Sequence, residues 1–222
     1  MLQSNVFNRT NNAEQEVSSR LYNFTIGLVL CWGFWVNWLM VGHIPVEIIR
    51  SINHWVFFIG YLASCFFGVY LFNTSSKPLV SFIGYNFVVV PFGFVINMVV
   101  SNYDRSLVLD AIQVTGLVTV IMMLLGIMFP VFFKKIYGAL TIALLVVFVV
   151  ELFQIYVLGI HQNWLDWAVA IIFCGYIGYD WGRANQIPKT IDNAVDSAAA
   201  LYMDIINLFL RILRIMGRAD RT

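Results

Sequence analysis

Apolar runs of bilayer-crossing length follow one another along this chain with only short polar breaks, and that leaves few folds open to it. A helix rises about 1.5 Å per residue, so about 20 apolar residues cross the hydrocarbon core. Charge and turn residues divide the sequence into Leu21–Val41, Trp55–Phe72, Leu79–Val100, Leu107–Phe129, Ile136–Ile160 and Trp164–Tyr179, then a seventh run from Ile191 to about Met216. Pro91 inside the third run predicts a bend, because proline cannot donate the helical hydrogen bond. Of the 222 residues 60% are hydrophobic and 11% charged, too few charges to cover a water-exposed surface. Lipid removes that need by solvating apolar side chains directly. The expectation is an all-α integral membrane protein of seven transmembrane helices. A polar segment, residues 1–20, precedes a transmembrane domain at 21–216, and a basic tail follows at 217–222. Residues 1–20 are polar and of mixed charge, and the first run is too long for a signal peptide, so it reads as a retained helix. A formal net charge of +1 gives no field that would attract nucleic acid.

Connections on one side carry Arg9, Arg20, Lys77, Lys134, Lys135, Arg183 and Lys189, whereas those on the other carry Arg50 and Arg105. The excess of cations on cytoplasmic loops therefore puts the N-terminus in the cytoplasm. Seven crossings then put the C-terminus outside, yet Arg211, Arg214, Arg218 and Arg221 argue for the cytoplasm. The sequence leaves that conflict open.

The seventh run differs from the rest. It carries Asp192, Asn193, Asp196, Ser197, Asp204 and Asn207. A carboxylate facing lipid costs several kcal/mol, roughly 2.5 or more at mid-membrane. This helix is therefore expected in the middle of the bundle, enclosed by the other six. Ser197, Asp204, Asn207 and Arg211 recur on roughly one of its faces. They either line a cavity or form a network that only fixes packing. Asp110 with Gln113, and Glu151 with Gln154, pair at three-residue spacing and are either interhelical clamps or the lining of a wet path. Asp166, near the start of the sixth run, reads as a carboxylate placed to suit the helix dipole. Cys31, Cys65 and Cys174 have no partners at metal-ligand spacing and read as small buried hydrophobes, while His43, His54 and His161 read as interfacial side chains. No GxSxG, HExxH or serine–histidine arrangement points to an enzyme, and nothing calls for a cofactor.

Asp180 and Asp204 are the strongest candidates. The stretch Ile177-Gly178-Tyr179-Asp180, a polar loop Trp181–Lys189, and then Ala199-Ala200-Leu201-Tyr202-Met203-Asp204-Ile205-Ile206-Asn207-Leu208-Phe209 resembles the end of the transmembrane Bax inhibitor motif family. That family shows a "YD" closing its sixth helix and an "LYLDxxNLF"-like motif in its last. Met203 stands where a leucine is usual. The resemblance is strong over Ile171–Arg218 and vague in the first 130 residues. It implies seven transmembrane helices with the last enclosed, and a pH-sensitive leak of Ca2+ across the membrane. It also implies that Asp180 and Asp204 form a hydrogen-bonded pair that senses pH. An arginine near the end of the second helix latches the closed state in relatives. Here that region reads Asn73-Thr74-Ser75-Ser76-Lys77, which leaves Lys77 as the only cation to substitute, without arginine's planar fork.

The pair can also be argued physically. Two carboxylates close together in a low-dielectric site do not both ionise cheaply, so they hold one proton jointly. Losing it adds a charge, and the repelling oxygens drive the helices apart. The same oxygens are hard ligands for Ca2+, low in number, so protons and calcium would compete for them. The implied partners are the bilayer, Ca2+ and H+. A proton-coupled secondary transporter and a non-conducting regulatory membrane protein are the alternatives, and an intramembrane aspartyl protease fits the motif less well. The end Ala219-Asp220-Arg221-Thr222 carries no eukaryotic retention signal, which points to a bacterial plasma membrane.

Overall fold

A computed structural model describes residues 16–154, 157, 159 and 163–219. Among these the secondary structure is helical throughout: α1 Ser19–His43, α2 Val46–Arg50, α3 His54–Thr74, α4 Pro78–Val100, α5 Arg105–Met128, α6 Pro130–Phe153, α7 Asn163–Ala184 and α8 Ile191–Ala219. The expectation of seven helices thus meets eight, because the first connection, with Pro45, Glu47 and Arg50, winds into the short α2. Five helices (α1, α3, α4, α5 and α6) are long and apolar enough to cross a membrane. Helix starts follow local chemistry. Ser18 caps α1 and Asn53 caps α3 through side-chain oxygens that accept free backbone N–H groups. Pro78 and Pro130 open α4 and α6, where a missing N–H costs nothing.

Two boundaries differ from expectation in ways that matter. α6 begins six residues before Ile136, because Phe129 leaves helical geometry and Pro130 restarts it, while Lys134 and Lys135 are carried inside the helix. α7 continues through Trp181-Gly182-Arg183 to Ala184, which the sequence places in a loop. Gly182 stays helical against α5, where a Cβ would crowd the Gly126 carbonyl oxygen. The Asn185 N–H then bonds the Trp181 carbonyl at 3.2 Å and closes the last turn. The expected connection at His161 and Gln162, the end of the fifth run at Ile160, Arg9, Arg221 and most of the expected polar N-terminal segment lie outside the described residues.

The chain divides into two compact units. The first comprises Met1–Asn102 and Gln186–Tyr202 and so holds α1–α4 and the first part of α8. Its α3 and α4 pack closely because Gly68 and Gly84 face one another, and a Cβ on either would strike the other's carbonyl. Pro91 sits buried within α4. It leaves the Phe87 carbonyl without its helical donor, and Ser64 Oγ of α3 supplies one at 2.7 Å. Asn97 Nδ2 donates to the Met40 and Ile44 carbonyls at 3.2 and 2.8 Å and ties α4 to the end of α1. Tyr202 is fully buried, meets Tyr85 edge-on at 5.3 Å and accepts from Asn37 Nδ2.

The second unit comprises Tyr103–Asn185 and Met203–Thr222, and so holds α5–α7 and the rest of α8. α7 packs against both α5 and α6. Against α5 the backbones meet at Gly126 and Gly178, where a Cβ on Gly126 would overlap the Gly178 carbonyl. Tyr137 of α6 stacks on Tyr179 at 4.2 Å, and Tyr176 donates to Thr141 Oγ1 at 3.1 Å. These contacts set the rotation of α7 and therefore the direction in which Asp180 points.

Large apolar side chains remain exposed on α1, α3, α5 and α6, among them Trp38, Phe66, Leu117 and Val149. In a bilayer these are the lipid-facing positions. Cys31 is exposed as well, contrary to its reading as a buried hydrophobe, whereas Cys65 and Cys174 are half-buried. His43 and His54 fall at the end of α1 and the start of α3.

Candidate functional site

The second unit holds both candidate aspartates. Asp180 lies in the last turn and a half of α7, and Asp204 near the unit's start on α8. The two side chains are near enough to act on one another electrostatically. Asp204 is 7% exposed, and its Oδ2 is buried with no donor directed at it. Ionised carboxylates only accept hydrogen bonds, so two of them side by side leave that oxygen unsatisfied. A proton shared between them would supply the missing donor.

Arg183 stands beside the pair, with Nη1 3.9 Å from Asp180 Oδ1 one turn further along the same helix. The sequence reading missed it as a site residue because it placed Arg183 in a loop. The signal was the three-residue spacing from Asp180, which becomes a helix-face neighbour only once α7 extends to Ala184. Tyr176 and Tyr179 flank the carboxyls from their own helix, and Tyr137 of α6 lies against both tyrosines. Among the described residues no group of three or more His, Cys, Asp or Glu side chains is arranged to hold a metal. Two carboxyls fall well short of the roughly six to eight oxygens around a resident Ca2+.

A second group of charges occupies the same unit. Arg211 of α8 grips Glu151 of α6 through two parallel bonds, Nη1 to Oε1 at 2.7 Å and Nη2 to Oε2 at 2.9 Å. Its Nη1 also reaches Asp166 Oδ1 of α7 at 2.8 Å. Arg218 Nη2 lies 2.7 Å from Asp166 Oδ2, and Arg214 Nη1 is 3.8–3.9 Å from both acids. Glu151 is thus an interhelical clamp. Asp166 does sit in the first turn of α7, where the helix dipole favours it. It is also completely buried and shared by arginines, a role its position near a helix end did not suggest.

The other expected residues are elsewhere. Asn207 donates its amide to the Met203 carbonyl of its own helix at 2.8 Å. Ser197 belongs to the first unit, where its Oγ and the Tyr22 hydroxyl are 3.2 Å apart. Asp110 is exposed on α5, and Lys77 is exposed at the cap of α4. The stripe seen on α8 therefore splits into different local partnerships and is not one lining.

The comparison with known proteins agrees with this picture. Residues 14–221 match the family described as Inhibitor of apoptosis-promoting Bax1 (Bax1-I), and the chain belongs to that family. It is an integral membrane protein with several apolar helices. An uncharacterized protein of Helicobacter pylori (strain ATCC 700392 / 26695) is 32% identical over 171 residues, 73% of this chain and 71% of its own length. Two Arabidopsis thaliana proteins, a BI1-like protein and Protein LIFEGUARD 3, are 50% and 48% identical over 52 and 54 residues. Those matches cover 23% and 24% of this chain and 20% and 21% of the plant proteins.

Proposed function

We propose that the protein is a pH-sensitive calcium leak, or a regulator of calcium flux, whose gate is the Asp180–Asp204 pair. The observation that carries this is the unsatisfied, buried Asp204 oxygen near a second, half-buried carboxyl. With one proton shared, the pair is closed and neutral enough to sit among apolar helices. Without it, two like charges in a low-dielectric site repel, and α7 separates from this part of α8. The freed oxygens then offer a passing Ca2+ hard ligands. Membership of the Bax inhibitor family is consistent with such a role.

In this reading α7 and α8 complete seven crossings, with α8 as the enclosed helix. Most of α8 is buried, Asp192, Asp196 and Ser197 included, which supports that placement. The N-terminus is cytoplasmic, and the membrane is a bacterial plasma membrane, as the Helicobacter relative suggests. The protein performs no covalent chemistry and carries no cofactor, and Ca2+ is its cargo.

Calcium flux into dye-loaded proteoliposomes of pure lipid tests this. The wild-type protein is expected to pass Ca2+ down its gradient and to pass more as pH rises. A flux that requires an opposing proton gradient would instead make it a coupled transporter, and no flux at any pH would make it a non-conducting regulator.

A further inference from the structure

The cluster around Asp166 lies on the same two helical segments as the Asp180–Asp204 pair, and its spacing matches. Asp166 meets Arg218, and Asp180 meets Asp204, so the earlier residue of α7 pairs with the later residue of α8 and the two segments run antiparallel. Asp166 precedes Asp180 by 14 residues, and Asp204 precedes Arg218 by 14. At about 1.5 Å and 100° per residue, 14 residues advance about 21 Å and return nearly to the same face. Both helices thus present two rungs at equal separation. We propose that Asp166, held by Arg218 and Arg211, is a positioning residue that fixes the register in which Asp180 and Asp204 meet. The inference rests on the role proposed above for that pair.

Apolar packing alone does not set such a register. Lipid tails solvate apolar side chains as well as a neighbouring helix does, so sliding one helix along another changes little. A slip of one turn, about 5.4 Å, would instead break the charged bonds that hold the buried Asp166 carboxylate. Asp166 is also constrained in rotation, because its two oxygens go to different arginines, Oδ1 to Arg211 and Oδ2 to Arg218. Arg211 extends the same restraint to α6 through its two bonds to Glu151. Arg218→Lys would keep a charge on Asp166 and the spacing, whereas Arg218→Gln removes the charge.

Disulfide trapping reads the register without reference to calcium. In a chain with Cys31, Cys65 and Cys174 replaced by serine, cysteines are placed at 180 and 204 and the rate of cross-linking in membranes is measured. With Asp166 and Arg218 intact the pair should cross-link readily. Asp166→Asn and Arg218→Gln should each slow it at least tenfold, and Arg218→Lys should restore most of the rate. Equal rates in all four backgrounds, or no cross-link in the intact one, would overturn the proposal. A variant that fails to reach the membrane is replaced by Arg211→Gln, for which the same slowing is expected. The flux assay on chains that keep both aspartates separates this idea from the one beneath it. Asp166→Asn should flatten the pH profile and Arg218→Lys should retain it. Slowed cross-linking alongside a wild type without any pH response would remove the gate and leave the register. A normal wild-type response with unaltered cross-linking would do the reverse.

Discussion

A carboxylate inside a bilayer stays charged only where cations or donors replace the water it has lost. Glu151 and Asp166 meet that condition through Arg211, which binds both. Asp204 has one buried oxygen without a donor, and in the proposed reading a shared proton supplies it. The two arrangements predict different responses to substitution. Arg211→Met takes one partner from buried Asp166 and half-buried Glu151 and should cost up to about 3–5 kcal/mol, the penalty for breaking a buried ion pair from one side. Reversible unfolding in mixed micelles measures it. Asp110→Asn on the exposed face of α5 should change the same transition little. A sequence shows that Glu151 and Arg211 are costly in a membrane. It does not show that they satisfy one another, because 60 residues separate them and only the packed helices bring them together.

At the level of the helix, the spans were legible because lipid makes apolar length the dominant signal. Run boundaries at Leu79–Val100 and Ile191 agree with α4 and the start of α8 to within a residue. The errors arose where charge was taken to end a helix. Lys134-Lys135 lie inside α6, and Asp180 with Arg183 lie inside α7, since long or paired charged side chains are tolerated near helix ends. Pro91 likewise remains within α4. Its effect is met by the neighbouring α3, whose Ser64 hydroxyl takes the carbonyl that proline leaves free. Ser64→Ala should therefore destabilise the protein by about 0.6 kcal/mol, up to about 1.7, in the range of interhelical hydrogen bonds in membranes. A Pro91→Ala background should abolish most of that cost, as a double-mutant cycle in the same unfolding assay would report.

At the scale of the molecule, five helices among the described residues are long and apolar enough to cross a membrane, and α7 and α8 fall below that standard. The groups that lower hydropathy there include the acids and arginines of the two clusters, together with Asp192, Asn193 and Asp196 at the start of α8. The C-terminal arginines weighed against seven crossings when counted as free cations. Arg211, Arg214 and Arg218 are instead placed against Glu151 and Asp166, so they carry less weight as topogenic charge. The motif around Asp180 and Asp204 was readable in sequence, while the ion cluster further along the same helices was not, since its members are residues scattered over three helices.

The proton held between Asp180 and Asp204 is what links structure to calcium in this account. The direct measurement is calcium flux across a range of pH in proteoliposomes, comparing wild type with Asp204→Asn. Asparagine preserves the shape and can donate to Asp180, but it cannot release a proton at these pH values. The account predicts that the variant loses the rise in flux with pH while remaining folded. A variant whose flux follows pH as the wild type does would contradict it.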